Sequence, residues 1–386
     1  QNALKVRYRL KESGYQAHLV GGGVRDLLLG REPKDFDIAT DAHPEDVKRL
    51  FRNCRLIGRR FRLAHVMFGR EIIEVATFRA RQDPGNTNGE HHVDGEGRIV
   101  RDNVYGTIED DALRRDFTVN ALYYNIADFS IIDYTGGMQD LEAGVLRLLG
   151  DPETRYREDP VRMLRAVRFA TKLGFRIEQE TERPILELAT LLRDIPPARL
   201  FDEMLKLFMG GSALANFEML RHYDLFRQLF PLTEQSLTHQ EGNFPLTLVN
   251  RGMANTDARV LAGKPVTPAF LFAVFLWQPV RDLAARLEAD GQAPAQALQH
   301  AGSQIIAEQG AVMATPRRFS LPMRDIWMLQ LRLERKGGRR SQRVLGHPRF
   351  RAAYDFLLLR GEAGEVSPEL CDWWTEFQEM HPEQRE

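Results

Sequence analysis

Residues 19–38 read LVGGGVRDLLLGREPKDFDI, and this run restricts the fold more than any other part of the chain. An apolar, strand-like segment stops at three consecutive glycines, a short helical run VRDLLLG ends at Gly30, and a β-like run DFDIAT follows. Adjacent glycines let backbone N–H groups approach an anion closely, because no side chain intervenes and positive φ is cheap. A helix starting there adds its N-terminal dipole, and a glycine at its end suits the left-handed cap. On a strand, residues two apart share a face, so Asp35 and Asp37 converge while Phe36 and Ile38 turn to the core.

Three readings compete for this run. The dinucleotide fingerprint G-x-G-x-x-G fails, since Asp26 stands where the third glycine belongs and no acidic residue ~20 positions on follows a second clear parallel strand. A ligand-free turn and a solvated acidic pair are the plain alternatives. Two neighbouring carboxylates raise each other's pKa unless a divalent cation neutralises them, and Mg2+ bound by carboxylates and substrate phosphates is the usual arrangement for nucleotidyl transfer. With Gly22, Gly23 and Arg25 just upstream, a triphosphate beside a metal held by Asp35 and Asp37 is the favoured reading. A third carboxylate belongs on a neighbouring segment. Glu74 in EIIEVATFR shares a face with Ile72 and Ala76, and so wants either a metal or a partner such as Arg79. Asp116 in RRDFTVN, flanked by Arg114 and Arg115, is preferred over it.

Strand and turn signals fill roughly the first 150 residues. HPEDVKRLFRN has a proline start, early acids and late bases, and reads as a helix. LAHVMFG and EIIEVATFR are β-rich runs at hairpin spacing. RARQDPGNTNGEHHVDGEGRIVRDN has no period and reads as a mobile loop, with His91 and His92 solvated within it. DDALRRDFTVNALYYNI resumes as helix and strand, and SIIDYTGGMQDL closes a strand on a Gly-Gly turn. From Asp151 onward the patterns are helical, so an α+β head followed by an all-α remainder is expected. The expected parts are 1–150, 151–235 and 236–386.

With 386 residues, 43% hydrophobic and 28% charged, the composition is that of a soluble globular protein. No apolar run reaches the ~18 residues of a membrane span, and PAFLFAVFLW at Pro268–Trp277 reads as a buried helix. Two distant cysteines, Cys54 and Cys371, favour a reducing, cytoplasmic setting. The chain begins QNALKVRYRL without Met or apolar leader, which points to a trimmed chain. A formal net charge of −1 hides an uneven distribution: Arg317–Arg360 holds twelve Lys/Arg against three Asp/Glu, and Gly361–Glu386 eight acids against one Arg. Overall neutrality therefore does not exclude a polyanionic partner.

In order, VGGGVRDLLLGREPKDFDIAT, EVATFR, RRDFTVNALYY and EDPVRMLRAVRFA resemble the motifs of the class II tRNA nucleotidyltransferase and bacterial poly(A) polymerase family, a branch of the polymerase β superfamily. The resemblance covers roughly the first 210 residues. CRLIGRRFRLAHVMF and the C-terminal RDIWMLQLRL and HPRFRAAYDFLLLR resemble the poly(A) polymerase branch.

The resemblance implies a polymerase-β-like head with a mixed or antiparallel sheet, then a helical neck and an RNA-binding body. It implies template-independent addition of AMP from ATP to RNA 3′ ends, promoting RNA turnover, with CCA addition to tRNA, or RNA binding without catalysis, as alternatives. Gly22, Gly23 and Arg25 would hold the triphosphate, Asp35 and Asp37 two Mg2+ ions, and Asp116 would complete the acids with Arg115 near ribose and phosphates. Asp159, Arg162, Arg165 and Arg168 would select the base. The residues agree with a helix there: Asp159-Pro160 makes a start, Val161, Leu164, Val167 and Ala170 form an apolar stripe, and the arginines an adjacent one. Arg and Asp together can pair adenine's N6 amine and N1 acceptor without a template. Arg52 and Arg55 belong to the basic segment of the head. Arg59, Arg60 and Arg62 there, with Arg332, Arg339 and Arg340 in the helical part, are the candidate RNA contacts. Phe61 and Trp327 are stacking candidates whose plainer place is the core. A monomer without membrane association is expected, with RNA-decay proteins as further partners.

Overall fold

In the computed structural model, residues 1–58, 62–80, 91–93, 99–102, 104–238 and 244–380 are described. The chain divides into two compact units, Gln1–Leu188 and Ala189–Glu386.

The first unit is built on a sheet of seven strands among the described residues: β1 (Ala17–Val20), β2 (Asp37–Thr40), β3 (Cys54–Ile57), β4 (Leu63–Phe68), β5 (Glu71–Thr77), β8 (Leu122–Asn125) and β9 (Ser130–Asp133). Their order is β3-β4-β5-β2-β1-β8-β9. All neighbours are antiparallel except β2 and β5, which run parallel. The AHLV of β1 is buried along its whole length, as a central strand covered on both faces must be. Further out the alternation is plain. Ile38, Ala64, Val66, Ile73 and Val75 are at most 2% exposed, whereas Arg55, Ile57 and Ile72 on the other face are exposed. Helices α1 (Asn2–Glu12) and α3 (Pro44–Leu50) pack on these strands. As its sequence suggests, α3 has Pro44 in the first turn, Glu45 and Asp46 early and Lys48 and Arg49 late.

One stretch differs from its sequence reading. Within the glycine-rich segment after Arg79, β6 (His91–Val93) and β7 (Ile99–Asp102) pair as an antiparallel ribbon. Backbone pairing of this kind needs no apolar period, so the composition hid it. The rest of that segment, 81–90, 94–98 and 103, lies outside the described residues. After it come α4 (Ile108–Arg114), β8, β9 and α5 (Gly137–Ala143), whose first residue has no room for a Cβ because Thr118 O would lie 2.3 Å from it. Helix α6 (Pro152–Glu158) precedes α7 (Val161–Leu173), in which Val161, Leu164, Val167 and Ala170 are buried and left-handed Gly174 is the cap. The short pair β10 (Val145–Leu146) and β11 (Arg176–Ile177) brackets α7, and α8 (Gln179–Leu188) closes the unit.

The second unit is helical: α9 (Pro197–Phe208), α10 (Ala213–His222), α11 (Leu225–Leu229), α12 (Pro231–Thr238), α13 (Phe244–Leu261), α14 (Pro268–Ala289), α15 (Pro294–Val312), α16 (Arg317–Leu333), α17 (Gly338–Leu345), α18 (Phe350–Glu362) and α19 (Pro368–Glu379). The PAFLFAVFLW run lies in α14, which packs against α12, α13, α15, α16 and α18 and buries Leu271 through Trp277. Phe208, Phe226, Phe230, Phe272 and Phe275 pack ring to ring around it. Each such side chain contributes ~1.5–3 kcal/mol of burial.

Candidate active site

Parallel pairing of β2 and β5 sets Asp37 directly opposite Glu74, with Asp35 two residues before the strand. Burial, then Glu74 and more weakly Asp35, push the Asp37 carboxyl up to about 6, although Arg115 and His65 oppose the shift. The row continues across the sheet: Glu74 lies opposite His65 on β4, and His65 opposite Arg55 on β3. His65 Nε2 is 3.4 Å from Glu74 Oε2. Sequence reasoning missed His65, because nothing local links a residue of β4 to the carboxylates; only the register does.

On the other side of Asp37, its β1 partner Val20 leads straight into the glycine turn. Gly21 has φ 74° and ψ −138°, a conformation costly for any side chain. A Cβ on Gly23 would sit 3.0 Å from Asp35 O and 3.3 Å from the Phe36 ring, so glycine lets the helix lie closer to the segment carrying the acids than a side chain would. Helix α2 (Gly22–Leu28) starts here, and its first-turn amides have no partner within the helix. Arg115 reaches the same turn, its Nη1 being 3.4 Å from where a Gly21 Cβ would be. It is held by donating to Asp111 Oδ2 at 3.1 Å and to Tyr123 Oη at 3.1 Å, while the Tyr123 hydroxyl donates to Asp111 at 2.6 Å. Burial, reinforced by Asp111, pushes the Tyr123 phenol above its ordinary range, so it stays a donor.

Arg25 lies at the same turn, its Nη2 3.5 Å from where a Gly22 Cβ would be, but it and Asp116 are engaged by other partners. The Arg25 side chain is 2% exposed; it donates to Asp26 Oδ1 at 2.6 and 2.9 Å and to Asn120 Oδ1 at 2.6 Å. Its guanidinium lies 5.2 Å from the Phe169 ring centre. Asn120 in turn donates to Asp116 Oδ1 at 3.1 Å, the Phe117 N–H to the same oxygen at 2.8 Å, and Arg165 Nε to Asp116 Oδ2 at 2.8 Å. Burial alone would push Asp116 up, yet Arg165, Asn120 and the Phe117 amide outweigh it and hold the carboxyl well below the usual range. A continuous chain Asp26–Arg25–Asn120–Asp116–Arg165 thus ties α2 to α7. The i, i+3, i+6 spacing showed the arginines of α7 in the sequence; their ties did not show.

On α7, Arg162 bonds Arg155 O at 2.6 Å and Glu158 at 3.0 Å, Arg168 lies 4.4 Å over the Phe169 ring, and Asp159 is half-buried just before the helix. Arg79, Arg114, Arg155 and Arg162 crowd one another. Burial first, and these like charges next, push Arg114 down to about 9. Arg79 and Arg155 were not singled out for binding from the sequence.

Of the candidate RNA contacts, Arg62 meets Glu45 at 2.5 Å, and Arg332, Arg339 and Arg340 are exposed on and around α16 and α17. Arg59, Arg60 and Phe61 lie outside the described residues. Trp327 is core, 1% exposed, with its indole N–H donating to Ala273 O at 3.0 Å. Among the described residues no three His, Cys, Asp or Glu side chains converge as a ready-made metal cage. Mg2+ seldom uses one: it is bound through one or two carboxylates plus substrate phosphates, and the Asp35–Asp37 pair beside a glycine turn fits that donor set. No described helix is long and apolar enough to cross a membrane.

A mixed-sheet head with paired carboxylates beside a glycine turn, followed by a helical body, defines a polymerase-β-like nucleotidyltransferase. The structure of a tRNA nucleotidyltransferase complexed with a primer tRNA and an incoming ATP analog shares the fold, at TM-score 0.66 and 24% identity over 97% of each chain. Residues 17–147 match the poly A polymerase head domain, 174–237 the probable RNA and SrmB-binding site of polymerase A, and 290–386 the polymerase A arginine-rich C-terminus. Poly(A) polymerase I of Salmonella typhi is 52% identical over 99% of this chain and 83% of its own length. The CCA-adding enzyme of Bacillus subtilis is more distant, 36% identical over 66% of this chain and 65% of its own. The chain belongs to the bacterial poly(A) polymerase family: it is an RNA nucleotidyltransferase whose activity is template-independent polyadenylation, with ATP as substrate.

Proposed function

We propose that polyadenylation here is a two-metal nucleotidyl transfer in which Asp35 and Asp37 hold Mg2+ and Glu74, not Asp116, is the third carboxylate. The observation that carries this is the Asp37–Glu74 pairing, in which burial first and repulsion from Glu74 next leave Asp37 reluctant to ionise until a cation offsets them. Bound there, Mg2+ supplies Lewis-acid stabilisation of the charge developing on the attacking and leaving oxygens. The amides of Gly22 and Gly23, with Arg115, cradle the triphosphate. The ribose 3′-oxygen forms the new bond to the α-phosphorus, its proton passes to solvent, and the bond to the bridging oxygen breaks to release pyrophosphate. Asp159, Arg162, Arg165 and Arg168 face the adenine. Arg25 and Asp116 fix the helices that carry these groups and are positioning residues.

In this reading 1–150 is the catalytic head, 151–235 the neck carrying the base-selecting helix, and 236–386 a body that binds RNA through Arg332, Arg339 and Arg340, with Arg59, Arg60 and Arg62 doing so in the head. The protein works as a monomer with RNA-decay proteins as partners, in a reducing cytoplasm that suits the buried thiols of Cys54 and Cys371. Incubation with an unstructured RNA and each single nucleoside triphosphate tests the reading. Long tails from ATP alone are expected; robust CTP incorporation, or arrest after one to three additions, would overturn it.

A further inference from the structure

The carboxylates divide one sheet face into two sides. In cross-strand register the row reads Tyr123 on β8, Val20 on β1, Asp37 on β2, Glu74 on β5, His65 on β4 and Arg55 on β3. The glycine turn continues directly from Val20, and Arg115 is bonded to Tyr123, so every group read above as a triphosphate ligand lies on the β1–β8 side of Asp37. Displacement at phosphorus needs the attacking and departing oxygens roughly in line, on opposite sides of the phosphorus. If the pyrophosphate leaves toward β1 and β8, the RNA 3′-oxygen arrives from β5, β4 and β3.

That side is open and suitably built. Glu74 and His65 side chains are 40% and 22% exposed. Next to them on the same face are Ile72 at 47%, its register partner Met67, and Ile57 at 39%, whereas the alternate residues Ile73, Val75, Ala64 and Val66 are buried. An antiparallel sheet face turned to water ordinarily carries polar residues. Exposed apolar side chains beside a row of carboxylate, histidine and exposed arginine suit a nucleotide, whose base and ribose need apolar contact and whose phosphate needs a cation. At the usual ~4.8 Å strand spacing, the row from Asp37 to Arg55 runs ~14 Å, enough for the end of an RNA chain.

We infer that the open face of β3, β4 and β5 seats the 3′-terminal nucleotides of the RNA, with Ile72 and Met67 beneath the last base, Arg55 on a phosphate and His65 a positioning residue that holds Glu74 toward the 3′-hydroxyl. This rests on the reading of Gly22, Gly23 and Arg115 as the triphosphate side. The alternative seat is the helical body alone.

An RNA ending in a 3′-terminal 4-thiouridine, photocrosslinked to the full chain without ATP or Mg2+ and mapped by mass spectrometry, tests the face directly. Crosslinks within 55–72 are expected; crosslinks confined to 189–386 would overturn it. Arg55→Gln is expected to raise KM for RNA about ten-fold and to lower the salt slope of RNA binding by about one, as loss of a single phosphate contact does. KM for ATP should stay unchanged. An unaltered salt slope, or a KM effect on ATP instead, would contradict the assignment. His65→Ala should lower kcat with little change in KM for ATP, and His65→Gln should restore part of it; equal losses in both would show that the ring merely supports the strand. The crosslink and the Arg55 readouts do not depend on which acids hold the metal, so failure of the carboxylate reading, seen as an active Asp37→Asn, stays distinguishable.

Discussion

Two aspartates of the head, Asp37 and Asp116, are both largely withdrawn from water, and they are held in opposite ways. Asp37 faces Glu74 and Asp35 and is pushed up to about 6 by burial and by those neighbours. Asp116, despite its burial, is held far below the usual range because Arg165, Asn120 and the Phe117 amide occupy its oxygens. An acid whose lone pairs are all taken has none left for a ligand; one set among like charges is eased by a cation. The arginine bonded to Asp116 is Arg165 of α7, 49 residues on, and in the reading proposed above that bond makes Asp116 a positioning residue.

The widest separation between the two is expected in catalysis. Asp37→Asn should lower polyadenylation at least ~1,000-fold, the scale for losing a preorganised charge at the reacting phosphate. Its stability should move the other way. A carboxylate with a raised folded pKa costs stability above that pKa, and the cost disappears as pH falls toward the ordinary value. Without Mg2+, Asp37→Asn should thus unfold a few degrees higher than the parent at pH 8, on the scale of ~2–4 °C per kcal/mol, with the gain fading below about pH 6. Equal melting temperatures at pH 8 would break the contrast.

Next in size is the pair Glu74→Gln and Asp116→Asn. Glu74→Gln should lower kcat ~100-fold and, by removing its repulsion of Asp37, raise melting at pH 8 by less than Asp37→Asn does. Asp116→Asn should unfold the first unit more easily by ~1–3 kcal/mol, because Arg165 loses its counter-charge, with activity falling mainly through KM for ATP. A depressed carboxylate contributes stability above its unfolded pKa and loses it as pH falls, so Asp116→Asn should also flatten the acid limb of the parent's stability curve. Arg25→Ala, which leaves Asp26 with Lys172 at 3.4 Å and removes the tie to Asn120, should cost ~3 kcal/mol in denaturant unfolding.

The sequence carried what is local. The glycines marked the turn, DFDI marked the start of β2, although the strand begins only at Asp37 and leaves Asp35 outside it, and the apolar stripe of EDPVRMLRAVRFA drew α7 correctly. Whatever depends on pairing over distance was hidden. The parallel register that sets Glu74 against Asp37 joins residues 37 apart in the chain, and His65 enters only through a second pairing. Arg25 reads as a phosphate ligand because its neighbours in sequence are glycines; its partner in space, Asn120, is 95 residues away. The ribbon of β6 and β7 escaped because its composition is that of a loop.

The parent protein crystallised with Mn2+ in place of Mg2+ and a non-hydrolysable ATP analogue would give anomalous scattering at each bound ion. Peaks within ~2.2 Å of Asp35 and Asp37 oxygens, on the side of Glu74, are expected, with Asp116 still bonded to Arg165. An ion on Asp116, or Arg165 released from it, would contradict the division of labour between the two aspartates.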